Sequence, residues 1–512
     1  MPPRPVRVVS AKESAERDRT AIDGGVPSRV LMERAGTGAA GEISCRYPER
    51  LRDGAVVFTG PGNNGGDGWV VAGCLAREGV KVTVVEVVAP KSPEAVARKD
   101  AAIEFVTVAD SAPDDAPVVI DALLGTGAEG EPRGKIGEGI AAINRLHSNG
   151  ARVAALDLPS GLDATTGNQS ACVLADVSLT FGAVKRGMLL ARDCCGEIVV
   201  LDIGLDEIAH RNDEDLPTLI DGLWVRSRIP SIRYDAHKGT KKHLALVGGG
   251  AGMPGAIVLA CRAALRSGIG LVRALVSPGN VSAILDAAPS ALIAEWPTSK
   301  KEIHTTISAW ADAVAIGPGF GRSDETRELA ERVLKDSKLP VLLDADALNV
   351  FEGEAKSLAK LLTGRPALVT PHVAEFSRLA GVPVEEVLAN RFDIGLDLAS
   401  ALGATVLLKG SPTVIFTPEG ERFVVARGTA ALGTGGSGDI LTGIGGTLLA
   451  QTIDPATSAC CSAWIHGRSA ELCEYVRGTT LEDVLYSLPR AWNETEPTPE
   501  PPVMATLPAV AT

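Results

Sequence analysis

AVVFTGPGNNGGDGWVVAGCLAREGVKVTVVEVV, residues 55–88, sets a β-rich run, a glycine-dense turn, a helical stretch and a second β-rich run in one line. Ala55–Thr59 and Lys81–Val88 read as buried strands, and Asp67–Glu78 as the helix between them. Strand, helix and strand in this order build a parallel sheet with helices on its faces. Gly60, Gly62 and Gly65 keep a G-x-G-x-x-G spacing between strand and helix. Backbone N–H groups crowded at a helix N-terminus favour an anion such as a pyrophosphate. Asn63, Asn64 and Asp67 add polar side chains that the glycine spacing alone does not require.

The alternation continues downstream. Val118–Leu124, Arg152–Leu158, Val177–Phe181 and Glu197–Ile203 read as strands, with helices at Pro93–Phe105 and Ile136–His147. The fold class predicted is α/β, with a Rossmann-like three-layer α/β/α domain over residues 1–215. Residues 216–235 are charged, carry Pro217 and Pro230, and read as a linker. The alternation then restarts: strands at His243–Val247, Val272–Val276, Ala313–Ile316, Val341–Asp344, Ala367–Thr370, Thr405–Leu408 and Val414–Phe416. Helices at Ala256–Ser267, Glu325–Asp336, Ile440–Gln451, Ala456–Val476 and Leu481–Asn493 complete a second α/β/α domain over residues 236–493. The proline-rich residues 494–512 show no helical period and read as a disordered tail.

Composition narrows the partners. A chain of 512 residues is too long for one core, and 45% hydrophobic with 22% charged residues is ordinary for a globular protein. A net charge of −13 offers no general field for nucleic acid or an anionic membrane, so neither is an expected partner. The one local basic cluster is Lys238–Lys242. Nine scattered cysteines without a CxxC pair read as reduced thiols, hence a cytoplasmic placement. The seven histidines show no metal-ligand spacing, and the start lacks the apolar segment of a signal peptide.

Other strand ends carry chemistry. Asp121 stands at one, followed by the glycine loop Gly125–Glu131, and Asp157 begins DLPSG at the next, with Ser160 and Asp163 behind it. Carboxylates at the C-terminal ends of adjacent parallel strands converge on one crevice, and Asn, Asp and Ser oxygens there suit a hard cation. In the second half, Gly433-Thr-Gly-Gly-Ser-Gly-Asp439 runs into a helix. Stacked N–H groups at such a turn make an anion hole for a phosphate under transfer, and Asp439 could take a proton from an attacking hydroxyl. Lys409-Gly-Ser-Pro-Thr413 supplies a cation and hydroxyls at a strand end, and Gly317-Pro-Gly-Phe-Gly321 a close-approach turn. His372 stands at a strand end with Glu375 one turn on, while Asp344 and Asp346 are explained nearly as well by helix capping.

GPGNNGGDG, DALLGTG, DLPSGLDATTG and FGAVKRGMLL, over about residues 10–215, resemble the NAD(P)H-hydrate epimerase domain. That resemblance implies Asn63, Asn64, Gly65, Gly66, Asp67, Gly125, Thr126, Gly127, Ala128, Glu129, Gly130, Glu131 and Asp157 on the hydrated nicotinamide nucleotide. It implies Asn64, Asp121 and Ser160 on a potassium ion. A carboxylate such as Asp157 could move the proton needed to invert C6, as general base and acid. HKG at 237–239, GGGAGMPGA at 248–256, GPGFG, DADALN, TPHVAEF, KGSPT and GTGGSGD resemble the ribokinase-like superfamily, and more closely its NAD(P)H-hydrate dehydratase branch. The resemblance implies Ala256, Gly319, His372 and Asp439 on the hydrate. It implies Lys409, Gly410, Ser411, Pro412 and Thr413, with Thr429, Gly433, Thr434, Gly435, Gly436, Ser437 and Gly438, on the adenine nucleotide. ADP is the nucleotide used by bacterial members and ATP by animal and fungal ones, with magnesium for the transfer. One departure is Thr240-Lys241-Lys242, which replaces the glycine usual shortly after HKG.

An epimerase and a dehydratase in one chain form a repair pathway for damaged NADH and NADPH, with the R and S hydrates as substrates. Homologous folds often assemble, so a homo-oligomer is expected. Three other readings stay open at this point: a ribokinase-like vitamin or sugar kinase, a non-catalytic nucleotide-binding protein, and a dehydrogenase in which Glu86 holds the ribose.

Overall fold

The computed structural model describes residues 5–128, 130–169, 171–205, 213, 215–494 and 497–510. The chain divides into two compact units, one from Met1–Thr218 with Thr498–Val510, the other mainly Leu219–Pro497.

The first unit holds β1 (Ala55–Thr59), β2 (Val82–Glu86), β3 (Thr107–Ala109), β4 (Val118–Ala122), β5 (Arg152–Leu156), β6 (Val177–Phe181) and β7 (Glu197–Leu201). Their order across the sheet is β7-β6-β5-β4-β1-β2-β3, all parallel. Alternate residues of β1 and β4 feed two cores. Val57 and Ile120 pack with Trp69 on one face, and Phe58 and Val119 with Ile143 on the other. Both faces are therefore covered, which is why these strands are uninterrupted apolar runs. The chain leaves β1 in one direction and returns through β4 on its other side. The switch point lies between those two strands, where an open α/β sheet opens its ligand crevice.

The second unit holds β8 (His243–Val247), β9 (Leu271–Val276), β10 (Leu292–Glu295), β11 (Ala313–Ile316), β12 (Val341–Leu343), β13 (Ala367–Val369), β14 (Thr405–Leu408), β15 (Thr413–Phe416) and β16 (Arg422–Val425). The order is β16-β15-β14-β13-β12-β11-β8-β9-β10. The sheet is parallel except for the antiparallel run β14-β15-β16. Its switch point lies between β8 and β11, whose following glycine turns bond each other. Gly249 N–H donates to Pro318 O at 2.8 Å and Gly250 N–H to Gly319 O at 2.6 Å.

Two expectations are corrected. The stretch expected to be a disordered tail holds a strand among its described residues: Val503–Leu507 pairs antiparallel with β7 and buries Ala505 and Leu507. The neighbouring prolines hid this strand, yet at a sheet edge proline is tolerated, and the strand covers an edge that would otherwise stay open. Residues 216–235 are not a free linker either. The units divide at Thr218, and Gly222–Arg228 is a helix capped by Asp221 whose Val225 enters the second core. Among the described residues no helix is long and apolar enough to cross a membrane.

Candidate functional site

In the first unit the helix after β1 begins at Asn63, four residues earlier than the spacing predicts. A Cβ on Gly60 would lie 1.8 Å from Leu123 O, so only glycine lets β1 turn this close to the loop after β4. Asn64 reaches that loop, its Nδ2 donating to Leu124 O at 2.8 Å, while its buried Oδ1 has no partner. Gly65 and Gly66 allow close packing, against Gly60 and against Met32 and Ala95.

Asp157, just after β5, sits at φ +66°, a left-handed conformation rare for a residue with a Cβ. Its N–H donates to Leu179 O at 2.8 Å, which holds the backbone there. The carboxylate is loaded with donors. Thr126 gives Oδ2 its N–H at 3.2 Å and its hydroxyl at 2.8 Å, and the buried ammonium of Lys185 gives a short contact to Oδ1. Lys185 also donates to Thr180 Oγ1 at 2.9 Å. Burial alone would raise the Asp157 pKa, but Lys185 and Thr126 outweigh it and lower it.

Asn63, Asn64, Asp67, Gly125, Thr126, Gly127, Ala128 and Asp157 line one cavity of about 470 Å³, together with Lys185 and Asp18. Gly130 and Glu131 line a smaller hollow of about 120 Å³ with Gly161 and Asp163, apart from Asp157. Glu129 lies outside the described residues. Asp121 and Ser160 are joined: Asp121 accepts from Ser160 N at 2.8 Å and Oγ at 2.6 Å, and burial pushes its carboxyl to about 6 against those bonds. Glu86, where a dinucleotide enzyme would hold its ribose, instead takes Lys99 Nζ at 2.5 Å.

In the second unit the lysine after β14 organises the site. Lys409 Nζ lies 2.7 Å from Asp344 Oδ1 and 3.6 Å from Glu375 Oε2, and Thr442 Oγ1 donates to Asp344 Oδ2 at 2.7 Å. The ammonium expected on nucleotide phosphates is thus held by protein carboxylates, while Arg391 clasps the loop behind it by donating to Pro412 O at 2.9 Å. Gly436, at φ +100°, is the N-cap of the helix Ser437–Thr452, and a Cβ on Gly438 would lie 3.4 Å from Lys409 Nζ. The glycines therefore let the turn close over Lys409 and bring Asp439 beside it. Burial, then Asp344, pushes Asp439 up to about 7, with Lys409 opposing.

His372 is first of all a helix cap: Nδ1 accepts the N–H groups of Ala374 and Glu375 at 3.0 and 3.3 Å. That leaves Nε2 to carry the ring proton, 3.2 Å from Glu375 Oε1. Burial would raise Glu375, but His372 and Lys409 hold it at about 2. Ala256 and Gly319 are neighbours, a Cβ on Gly319 falling 3.0 Å from Ala256 Cβ. Gly433 and Gly435 face open space, Ser437 Oγ donates to Leu432 O at 2.7 Å, and Thr434 Oγ1 to Ala431 O at 3.0 Å. Thr429 caps the short 3-10 turn Ala430–Gly433. Lys242 sits at φ +72°, so the run that replaces glycine after HKG does place a side chain in the left-handed region.

Lys185, Asp18 and Thr442 were not singled out from the sequence, because nothing local separates a buried site lysine from a surface one. Asp344 at a strand end and Glu375 one helical turn past another had a positional signal, but no visible partner until Lys409 arrived beside them.

Two family models match the chain: one described as NAD(P)H-hydrate dehydratase over residues 244–489, the other as YjeF-related protein N-terminus over residues 28–187. The bifunctional NAD(P)H-hydrate repair enzyme of Moorella thermoacetica is 33% identical, covering 92% of this chain and 93% of its own. That of Coxiella burnetii is 34% identical over 90% and 93%. The Bacillus subtilis ADP/ATP-dependent NAD(P)H-hydrate dehydratase, co-crystallised with ATP and Mg2+, is 31% identical over 52% of this chain and 95% of its own, with a TM-score of 0.46.

Proposed function

This chain belongs to the bifunctional NAD(P)H-hydrate repair enzymes, and we propose how its own residues divide that work. The first unit interconverts the R and S hydrates of NADH and NADPH, and the second dehydrates the S form with ADP converted to AMP and phosphate. What supports the division is that each unit carries a carboxyl beside a buried lysine, Asp157 on Lys185 and Asp439 beside Lys409.

In the second unit Asp439 takes the proton of the C6 hydroxyl as that oxygen attacks the terminal phosphoryl group. Its pKa near 7 suits a base at neutral pH. The phosphorylated oxygen then leaves as phosphate, expelled by the ring-nitrogen lone pair. The open glycine turn Gly433–Gly438 would hold the phosphates through backbone N–H groups, with Thr429 and the KGSPT loop around the rest of the nucleotide. Lys409 holds Asp344 and Glu375 in place and lends the site its positive charge. Magnesium would be carried by the nucleotide's phosphates and would neutralise developing charge there.

In the first unit, the partnerless Asn64 Oδ1 and the buried Asp121 fit a potassium ion, with Ser160 Oγ beside them. Bound there, potassium would balance the Asp121 charge and tie the Asn64 helix to the loop after β5. Asp157, ionised against Lys185, serves as the base at C6, and Thr126 orients it.

The test is turnover of a mixture of R and S NADH hydrates with magnesium, potassium and either ADP or ATP, followed by dihydronicotinamide absorbance. Complete recovery with ADP is expected. Recovery that stalls at the S fraction would remove the epimerase assignment, and no recovery with either nucleotide would return the second unit to a kinase of another small molecule.

A further inference from the structure

The epimerase cavity contains one carboxyl that neither its fold nor the reading above uses. Asp18 lies on the helix Ala11–Asp23 and lines the same cavity as Asp157, Asp67 and Lys185. The helix is clamped beside Lys185. Arg17 Nη1 donates to Gly182 O at 3.0 Å, its other guanidinium nitrogens hold Asp213 at 3.2 and 3.1 Å, and Arg186 Nη2 meets Glu13 Oε1 at 3.0 Å. Neighbouring charged side chains of this helix thus anchor it, while Asp18 is exposed at the cavity with no hydrogen bond among the described residues.

Three carboxyls, Asp18, Asp67 and Asp157, surround one ammonium. Asp157 has the direct contact and stays ionised. Asp67 is buried and pushed far up, by burial first and then by Asp157 and Asp18, with Lys185 opposing. Asp18, accessible at the cavity yet crowded there by protein, is pushed only to about 6, by that partial desolvation first and then by Asp157, with Lys185 and Arg17 opposing. Two carboxyls in one cavity, one held ionised and one titrating about one pH unit below neutrality, is the arrangement of an acid–base pair.

We propose that Asp18 is the second acid–base group of the epimerisation site, acting at the C6 oxygen on one face of the hydrated ring while Asp157 serves the other. This rests on the epimerase reading of the first unit. Asp18 gives its proton to the C6 hydroxyl, the C6–O bond breaks, and water leaves as the ring-nitrogen lone pair forms the N1=C6 bond. A second water adds to the opposite face of C6, its proton passes to Asp157, and the nitrogen recovers its lone pair. One water has left and one has entered. Asp18 ends ionised and Asp157 protonated, and exchange with solvent resets them. The reverse inversion uses the two groups in exchanged roles.

The experiment uses the full chain with purified R hydrate, reading inversion and, in ¹⁸O-water, label uptake at the C6 hydroxyl. The wild type is expected to take up one label per inversion and to slow as pH rises through about 6. Asp18→Asn should lower kcat for inversion about 100-fold or more with little change in KM and erase that limb of the profile, and Asp18→Glu should restore part of the rate. Dehydration of S hydrate by the same variants, together with their melting temperatures, reports folding. Normal inversion by Asp18→Asn, an unchanged pH limb, loss only in Asp67→Asn, or inversion without label overturns the proposal. A wild-type chain that does not invert at all, or an Asp157→Asn variant that inverts normally, overturns the epimerase reading beneath it and the proposal falls with it.

Discussion

Lys185 and Lys409 are both buried lysines among carboxyls, yet the two clusters are wired differently. Lys185 contacts one carboxylate, Asp157, and otherwise donates to Thr180 Oγ1 and, at longer range, to the carbonyls of Phe181 and Ala183. Lys409 contacts two, Asp344 and Glu375. In each case one ammonium is outnumbered, and carboxyls it does not touch are pushed up: Asp67 and Asp18 in the first unit, Asp18 to about 6, and Asp439 to about 7 in the second. The first unit pairs an ionised base with a titrating acid in one cavity, which suits a reaction that must run both ways. The second sets a single titrating base beneath a glycine turn, which suits a one-way transfer driven by a nucleotide.

Four experiments break or sharpen that contrast. The largest effect is expected for Asp439→Asn, which should lower dehydration of the S hydrate by about 10³-fold while R/S interconversion continues. Loss of both activities in a folded variant would mean that the two sites are not independent.

Removing the lysines should separate stability from chemistry. Lys409→Met leaves buried Asp344 and Glu375 without their counter-charge and should cost the second unit about 3 kcal/mol in urea unfolding. Lys185→Met strands one carboxylate rather than two, so a smaller loss is expected there, with inversion abolished because Asp157 becomes neutral. Equal losses would show that the number of contacts does not govern the energetics.

The pH profiles should slope in opposite directions. Asp439 must be deprotonated to act, so dehydration should rise roughly tenfold per unit below pH 7 and level off above it. Asp18 must be protonated to act, so inversion should fall as pH rises through about 6. Parallel profiles measured side by side would remove the assignment of opposite roles.

The smallest effect concerns the sheet edge. Ending the chain at residue 497 deletes Val503–Leu507 and the burial of Ala505 and Leu507. The first unit should lose about 2 kcal/mol, seen as a lowered melting transition, with dehydration unchanged.

Much of this was legible along the chain because it is local. Apolar runs such as AVVFT and VSLTF name their own strands, and β1 and β6 begin and end at the predicted residues. Glycine spacing marks close approach, as at Gly60 against Leu123 and Gly436 against Leu481 and Leu259. The helix Ser28–Arg46 went unmarked because its small residues, Ala35, Gly36, Ala39 and Ala40 among them, blur any apolar stripe.

The sequence by itself determined two α/β units, their glycine turns and the strand-end carboxylates, since each follows from a pattern of a few neighbouring residues. Only the tertiary structure decided that Lys185 belongs to Asp157, that Lys409 lies against Asp344 and Glu375, that Asp18 lines the first cavity, and that Val503–Leu507 extends the first sheet. Those partners lie between 28 and more than 300 residues apart. Their protonation states depend on burial and on charges brought within a few ångströms by packing, quantities that no local pattern carries.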